Sequence, residues 1–94
     1  ATDSFQKSIR LGSINTSVYY NYGLLLQQQG KLKEAEQILR KGFAIDPQAI
    51  NINYALTFFY VNQHQPEKAR VHAEVLKRFD PNNPDYQGLF RSLE

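Results

Sequence analysis

Shifting the chain by 34 residues lays it over itself. Ala1, Ala35 and Ala69 coincide, as do Lys7 with Lys41, Tyr20 with Tyr54 and Gln29 with Gln63. The pair Asp46-Pro47 falls on Asp80-Pro81. Similar side chains fill the gaps: Leu24 with Phe58, Leu26 with Tyr60, and Ile45 with Phe79. A period of that length belongs to a short list of architectures in which supersecondary units stack on their neighbours. A chain of 94 residues holds two such periods and a partial unit at either end.

Each period reads as a pair of helices. Over residues 18–29, apolar side chains recur at Val18, Tyr19, Tyr22, Leu25 and Leu26, which share one helical face. Gly30 follows where a left-handed cap would end that helix. A second helix is predicted over 33–45, with Ala35, Ile38, Leu39, Gly42 and Phe43 on its inner side. Pro47 stops it, because proline disfavours helical geometry in the residue before it. The plan repeats with helices over 50–62 and 66–79, then a last one over 84–93. Pro66 and Pro84 suit a first helical position, where the missing N–H would be unpaired in any case. Asn83 is a good N-cap for the last helix.

These residues resemble the tetratricopeptide repeat family. Residues 16–49 look like one complete repeat, with Tyr19, Tyr22, Gly23, Leu26, Gly30, Leu32, Ala35, Leu39, Phe43, Ile45 and Pro47 at its signature positions. Residues 50–83 look like a second, carrying Leu56, Tyr60, Ala69, Ala73, Phe79 and Pro81. Thr57 replaces the usual small glycine or alanine, and His64 and Pro66 depart from the preferred turn residues. Residues 1–15 read as the second helix of a preceding repeat, with Ala1, Phe5, Ser8 and Leu11 in register, and 84–94 as the start of a further or capping helix. The implied fold is all-α, an α-solenoid of stacked antiparallel hairpins forming a right-handed superhelix. Small residues such as Gly23 and Ala35 would let paired helices approach closely, while Tyr22, Leu26, Leu39 and Phe43 fill the space between hairpins.

The resemblance implies that the first helix of each hairpin lines a concave groove that takes a protein or peptide partner. It places Ser17, Tyr20, Asn21, Leu24, Gln27 and Gln28 on the groove wall of the first repeat. The second repeat contributes Asn51, Tyr54, Ala55, Phe58 and Asn62, and the last helix Asp85, Gly88 and Leu89. Tyr19, Tyr22 and Tyr60 are assigned to the core. Amides can pair with a peptide backbone in both senses, and tyrosines offer area with a polar tip. Repeats that dock the acidic tails of chaperones place lysine and asparagine on this wall. Here those positions hold Tyr20 and Leu24, then Asp85 and Leu89.

Other chemistries find little footing. His64 and His72 are the only histidines and lack a third ligand at useful spacing, so no metal or cofactor site is predicted. Glu34, Glu36, Glu67 and Glu74 read as a charged outer face. The five glycines are scattered, so no phosphate loop forms. Eleven basic residues are dispersed from Lys7 to Arg91, whereas nucleic-acid binders gather them in a stripe, so no nucleic-acid partner is predicted. No apolar run approaches the roughly 18 residues that span a bilayer. Cysteine is absent, which excludes disulfides but assigns no compartment.

The expectation is a non-catalytic protein-interaction module. Alternatives are a repeat segment of a larger enzyme or multi-domain protein, positioning its substrate or partner domain, and a spacer or self-assembly element. Without an initiating methionine the chain reads as an internal piece or a trimmed product. A repeat cut in this way would leave Phe5, Ile9 and Leu11 uncovered, predicting a homodimer through that end.

Overall fold

The computed structural model describes residues 15–93. The helix expected over 1–15 and the dimer surface of Phe5, Ile9 and Leu11 therefore lie outside the described residues, Asn15 apart. Five α-helices follow in order: α1 (Thr16–Gln28), α2 (Leu32–Ile45), α3 (Ile50–Asn62), α4 (Pro66–Phe79) and α5 (Pro84–Ser92). The fold is all-α among the described residues, and the helix limits lie within two residues of those read from periodicity.

Local chemistry sets each boundary. Asn15 and Asn83 have extended backbones, and their side chains accept from the amides of Ser17 and Asp85, which caps α1 and α5. At the end of α1 the Gly30 amide donates to the Gln27 carbonyl and the Lys31 amide to Leu26, with Gly30 at φ +78°. That is a Schellman cap. The end of α3 repeats it 34 residues later, His64 donating to Val61 and Gln65 to Tyr60. There a histidine at φ +58° holds the left-handed position, a conformation costing an L-residue about 1–2 kcal/mol. The unusual turn residues thus leave the hairpin geometry unchanged. Asp46 is extended, and Asp80 likewise leaves helical geometry, ahead of Pro47 and Pro81, where α2 and α4 stop.

Helices α1 and α2 pack as one hairpin and α3 and α4 as another, while α1, α3 and α5 touch in succession to form one layer. α3 packs against all four other helices. It is consequently buried nearly all round, at Ile52, Asn53, Ala55, Leu56, Thr57, Phe59 and Tyr60. Ala55 was expected on the groove wall and is instead fully buried, because α3 has neighbours on both flanks where Asn21, its counterpart on α1, is exposed.

Missing side chains set the spacing. A Cβ on Gly23 would lie 2.6 Å from Leu39 Cγ, and one on Gly42 would lie 2.6 Å from Ile52 Cδ1 and 3.0 Å from Tyr19 Cβ. Gly23 thereby seats α2 on α1, and Gly42 seats α3 on α2. In the second hairpin Thr57 stands at the place of Gly23 and Ala73 at the place of Leu39, both buried. The larger side chain has changed helices, so volume at the crossing is conserved and Thr57 is accommodated. Its hydroxyl donates to the Asn53 carbonyl at 2.7 Å.

Gly23→Ala should therefore destabilise the fold by about 1–3 kcal/mol through overpacking. Gly88→Ala, on a helix position with nothing within 4 Å of the new methyl, should stabilise it by about 0.5–1 kcal/mol. Urea denaturation followed by circular dichroism reads both. Equal shifts would show that the α1–α2 approach is not close.

Candidate functional site

Two polar clusters are built on this frame, one on each side of α3. The first is a row of tyrosines on the α1–α3–α5 layer. Tyr20, Tyr54 and Tyr86 are each half-buried, with their rings packed on the edge of the core. The rings of Tyr54 and Tyr86 lie 5.3 Å apart between centroids, tilted by 38°. Burial pushes the Tyr20 phenol above its ordinary pKa, and the neighbouring Tyr54 adds to this. Tyr86 is raised first by burial, then by the charges of Asp80, Tyr54, Asp85 and Tyr20.

Around the row, Ser17, Asn21, Gln28 and Asn62 are exposed, and Leu24, Gln27 and Asn51 are half-buried. Phe58 is 39% exposed. Gln27 Oε1 is enclosed without a hydrogen-bond partner, and Asn51 Oδ1 accepts from the Ile52 amide at 2.7 Å. On α5, Asp85 and Gly88 are exposed and Leu89 is half-buried. All ten side chains expected on α1 and α3, Ala55 apart, are at least partly accessible.

Tyr86 was missed by the sequence reading. A 34-residue shift aligns it with Ile52, which is fully buried, so register alone sends it inside. Ile52 fits because Gly42 leaves it room. Leu76 occupies the equivalent place on α4 and is itself fully buried, so the slot is filled and the longer Tyr86 ring lies over Tyr54 instead.

Neither α1 nor α3 contains a charged residue. The charges of the hairpins sit on α2 and α4, from Lys33 to Lys41 and from Glu67 to Arg78. In the layer carrying the tyrosine row, α1 and α3 are thus apolar and amide-bearing, while α5 brings Asp85 in its first turn and Arg91 in its last.

The second cluster lies between α2, α3 and α4. Asn53 Nδ2 donates to the carbonyls of Pro47 at 2.9 Å and Ala49 at 2.8 Å, while its Oδ1 meets His72 Nδ1 at 3.0 Å. Gln87 repeats the first contact one period on, its Nε2 donating to the Pro81 carbonyl at 2.8 Å. The His72 ring stacks on Tyr60 and meets Phe43 edge-on at 4.9 Å. The Tyr60 hydroxyl donates to Glu36 Oε2 at 2.7 Å and accepts from Arg40 Nη1 at 3.2 Å. Glu36, expected on a solvated face, is half-buried because Tyr60 reaches it across the hairpin boundary. This cluster ties the hairpins together and uses His72 as a packing and hydrogen-bonding group.

A family model described as tetratricopeptide repeat matches residues 16–93. The chain belongs to the tetratricopeptide repeat family. Repeats of this family are generally non-catalytic and serve in protein interaction. No curated protein and no solved structure matches the chain. Among the described residues, no group of three metal-ligating side chains is assembled, and no helix is long and apolar enough to cross a membrane.

His72 gives the second cluster a pH signature. Burial, and then the nearby positive charge of Arg40, lower its pKa from 6.5 to about 4. Between those values the unfolded chain binds a proton that the folded chain refuses. The stabilisation is whole above pH 6.5 and is lost as pH falls towards 4. The loss should reach about 1–2 kcal/mol once the shift is discounted for solvent screening. Urea midpoints between pH 7 and pH 4 should show it, and His72→Gln should flatten the slope. An unchanged slope in that variant would assign the acid sensitivity to other groups.

Proposed function

We propose that the α1–α3–α5 layer is a groove that grips an extended segment of a partner protein, with Ser17, Tyr20, Asn21, Leu24, Gln27, Gln28, Asn51, Tyr54, Phe58 and Asn62 lining it. Residues 16–49 and 50–83 are taken as complete repeats, and α5 as the opening of a further unit that extends the same wall. The observation that carries the reading is the row of three half-buried tyrosines, two of them, Tyr20 and Tyr54, on helices that hold no charge. Such rings are partly desolvated before any ligand arrives and keep a polar tip for it, which is why tyrosine is enriched at protein interfaces. The flanking amides can donate to and accept from a peptide backbone.

A different terminal chemistry is disfavoured. A C-terminal carboxylate needs a charge-assisted donor, and neither α1 nor α3 has a lysine or arginine to supply one. Acidic C-terminal peptides should therefore bind weakly or not at all. Tight, salt-sensitive binding of one in titration calorimetry would contradict the assignment of the wall.

The direct test is a pulldown with the chain and its Tyr20→Ala, Tyr54→Ala double variant, after circular dichroism shows equal helicity. Buried aromatic anchors typically contribute about 2 kcal/mol or more each, so the captured partner should be lost. A partner retained at full strength by the double variant would move the site elsewhere.

A further inference from the structure

The tyrosine row is electrically lopsided. At one end Asp85 adjoins Tyr86 in the first turn of α5, and its side chain is exposed. Asp80 is held at the same end by the cap, its Oδ2 accepting from Asn83 Nδ2 at 2.9 Å while the Asn83 carbonyl accepts from the Tyr86 amide at 3.1 Å. Both carboxylates are felt at the Tyr86 phenol. Among the described residues neither is in an ion pair. Cations are sparse on this layer: α1 and α3 have none, Arg91 sits in the last turn of α5, at the opposite end of that helix from Asp85, and Lys77 on α4 has its Nζ 5.3 Å from the Phe90 ring centroid. The chain as a whole has a net charge of +2, so this negative end is a local arrangement that composition conceals.

Resting on the groove reading above, we infer that the occupant is an extended basic segment, with lysine or arginine side chains over Tyr54 and Tyr86 and flanked by Asp80 and Asp85. Two independent attractions converge on such a cation. The faces of tyrosine rings are negative and attract an ammonium or guanidinium within about 6 Å of the centroid. A guanidinium can also lie flat on the ring. Free carboxylates beside the rings add a Coulombic attraction that sets partner choice and register more than raw affinity. A neutral segment would gain only the ring and amide contacts. An acidic one would meet two uncompensated like charges.

The test uses the whole chain and three labelled peptides of about twelve residues, long enough to cross three helices in extended form. They share one neutral framework and differ only in carrying arginine, glutamine or glutamate at the same spaced positions. Fluorescence anisotropy at low salt should rank arginine above glutamine by about tenfold and place glutamate last. The gap should shrink as salt rises to about 1 M, where the screening length falls to about 3 Å. Asp80→Asn with Asp85→Asn should bring the arginine peptide down to the glutamine peptide, leaving the latter unchanged. Asp85→Asn alone, at an exposed position, should remove about half of that gap and guards against any loss of the α5 cap. Tyr20→Ala with Tyr54→Ala should weaken the arginine and glutamine peptides together.

Equal, tyrosine-dependent binding of the arginine and glutamine peptides would overturn the charge inference and leave the groove reading standing. An arginine preference that survives the aspartate variants would overturn it as well. No binding by any of the three, or binding indifferent to the tyrosines, would remove both.

Discussion

Two helices can approach only as closely as the side chains between them permit, and in this protein two absent side chains decide the arrangement. Gly23 admits Leu39, which brings α2 onto α1, and Gly42 admits Ile52, which brings α3 onto α2. Both contacts involve α2, so one helix fixes the spacing within a hairpin and between hairpins. The second hairpin reaches the same end with Thr57 and Ala73, showing that the constraint is on combined volume at the crossing and not on glycine itself.

Close stacking puts α3 in the middle of the molecule and obliges it to bury polar atoms, which destabilise unless paired. Asn53 resolves this by serving three partners: the carbonyls of Pro47 and Ala49, and the His72 ring. Thr57 turns its hydroxyl back to the Asn53 carbonyl. Tyr60 is buried but sends its hydroxyl out to Glu36 and Arg40. The result is a satisfied polar seam between hairpins, specific in geometry where an apolar contact would be tolerant.

The same stacking divides the surface by chemistry. Most helix charges are carried by α2 and α4, whereas α1 and α3 present aromatic rings and amides, and α5 adds Asp85 and Arg91. A partner docking on α1 and α3, as proposed, would displace little tightly held water from charged groups and would find rings already packed against the core. In the proposed binding mode, the aspartates near the start of α5 would supply direction along a wall whose α1 and α3 faces are uncharged. Membership of a family that generally serves in protein interaction agrees with this division of labour.

The 34-residue period, the helix limits and the turn positions were legible in the sequence because they arise from local forces: asparagine caps, left-handed cap positions, and the restriction proline places on its predecessor. Accessibility along α1 was legible for a similar reason, since that helix keeps an open face. The sequence did not reveal that Ala55 lies inside, that Glu36 receives the Tyr60 hydroxyl, or that His72 is locked to Asn53. Nor did it reveal that Tyr86 completes the row. A helix surrounded on every side loses the amphipathic pattern from which burial is read. Where each of those side chains goes depends on the volume a neighbouring hairpin leaves free, and only the stacked structure decides that.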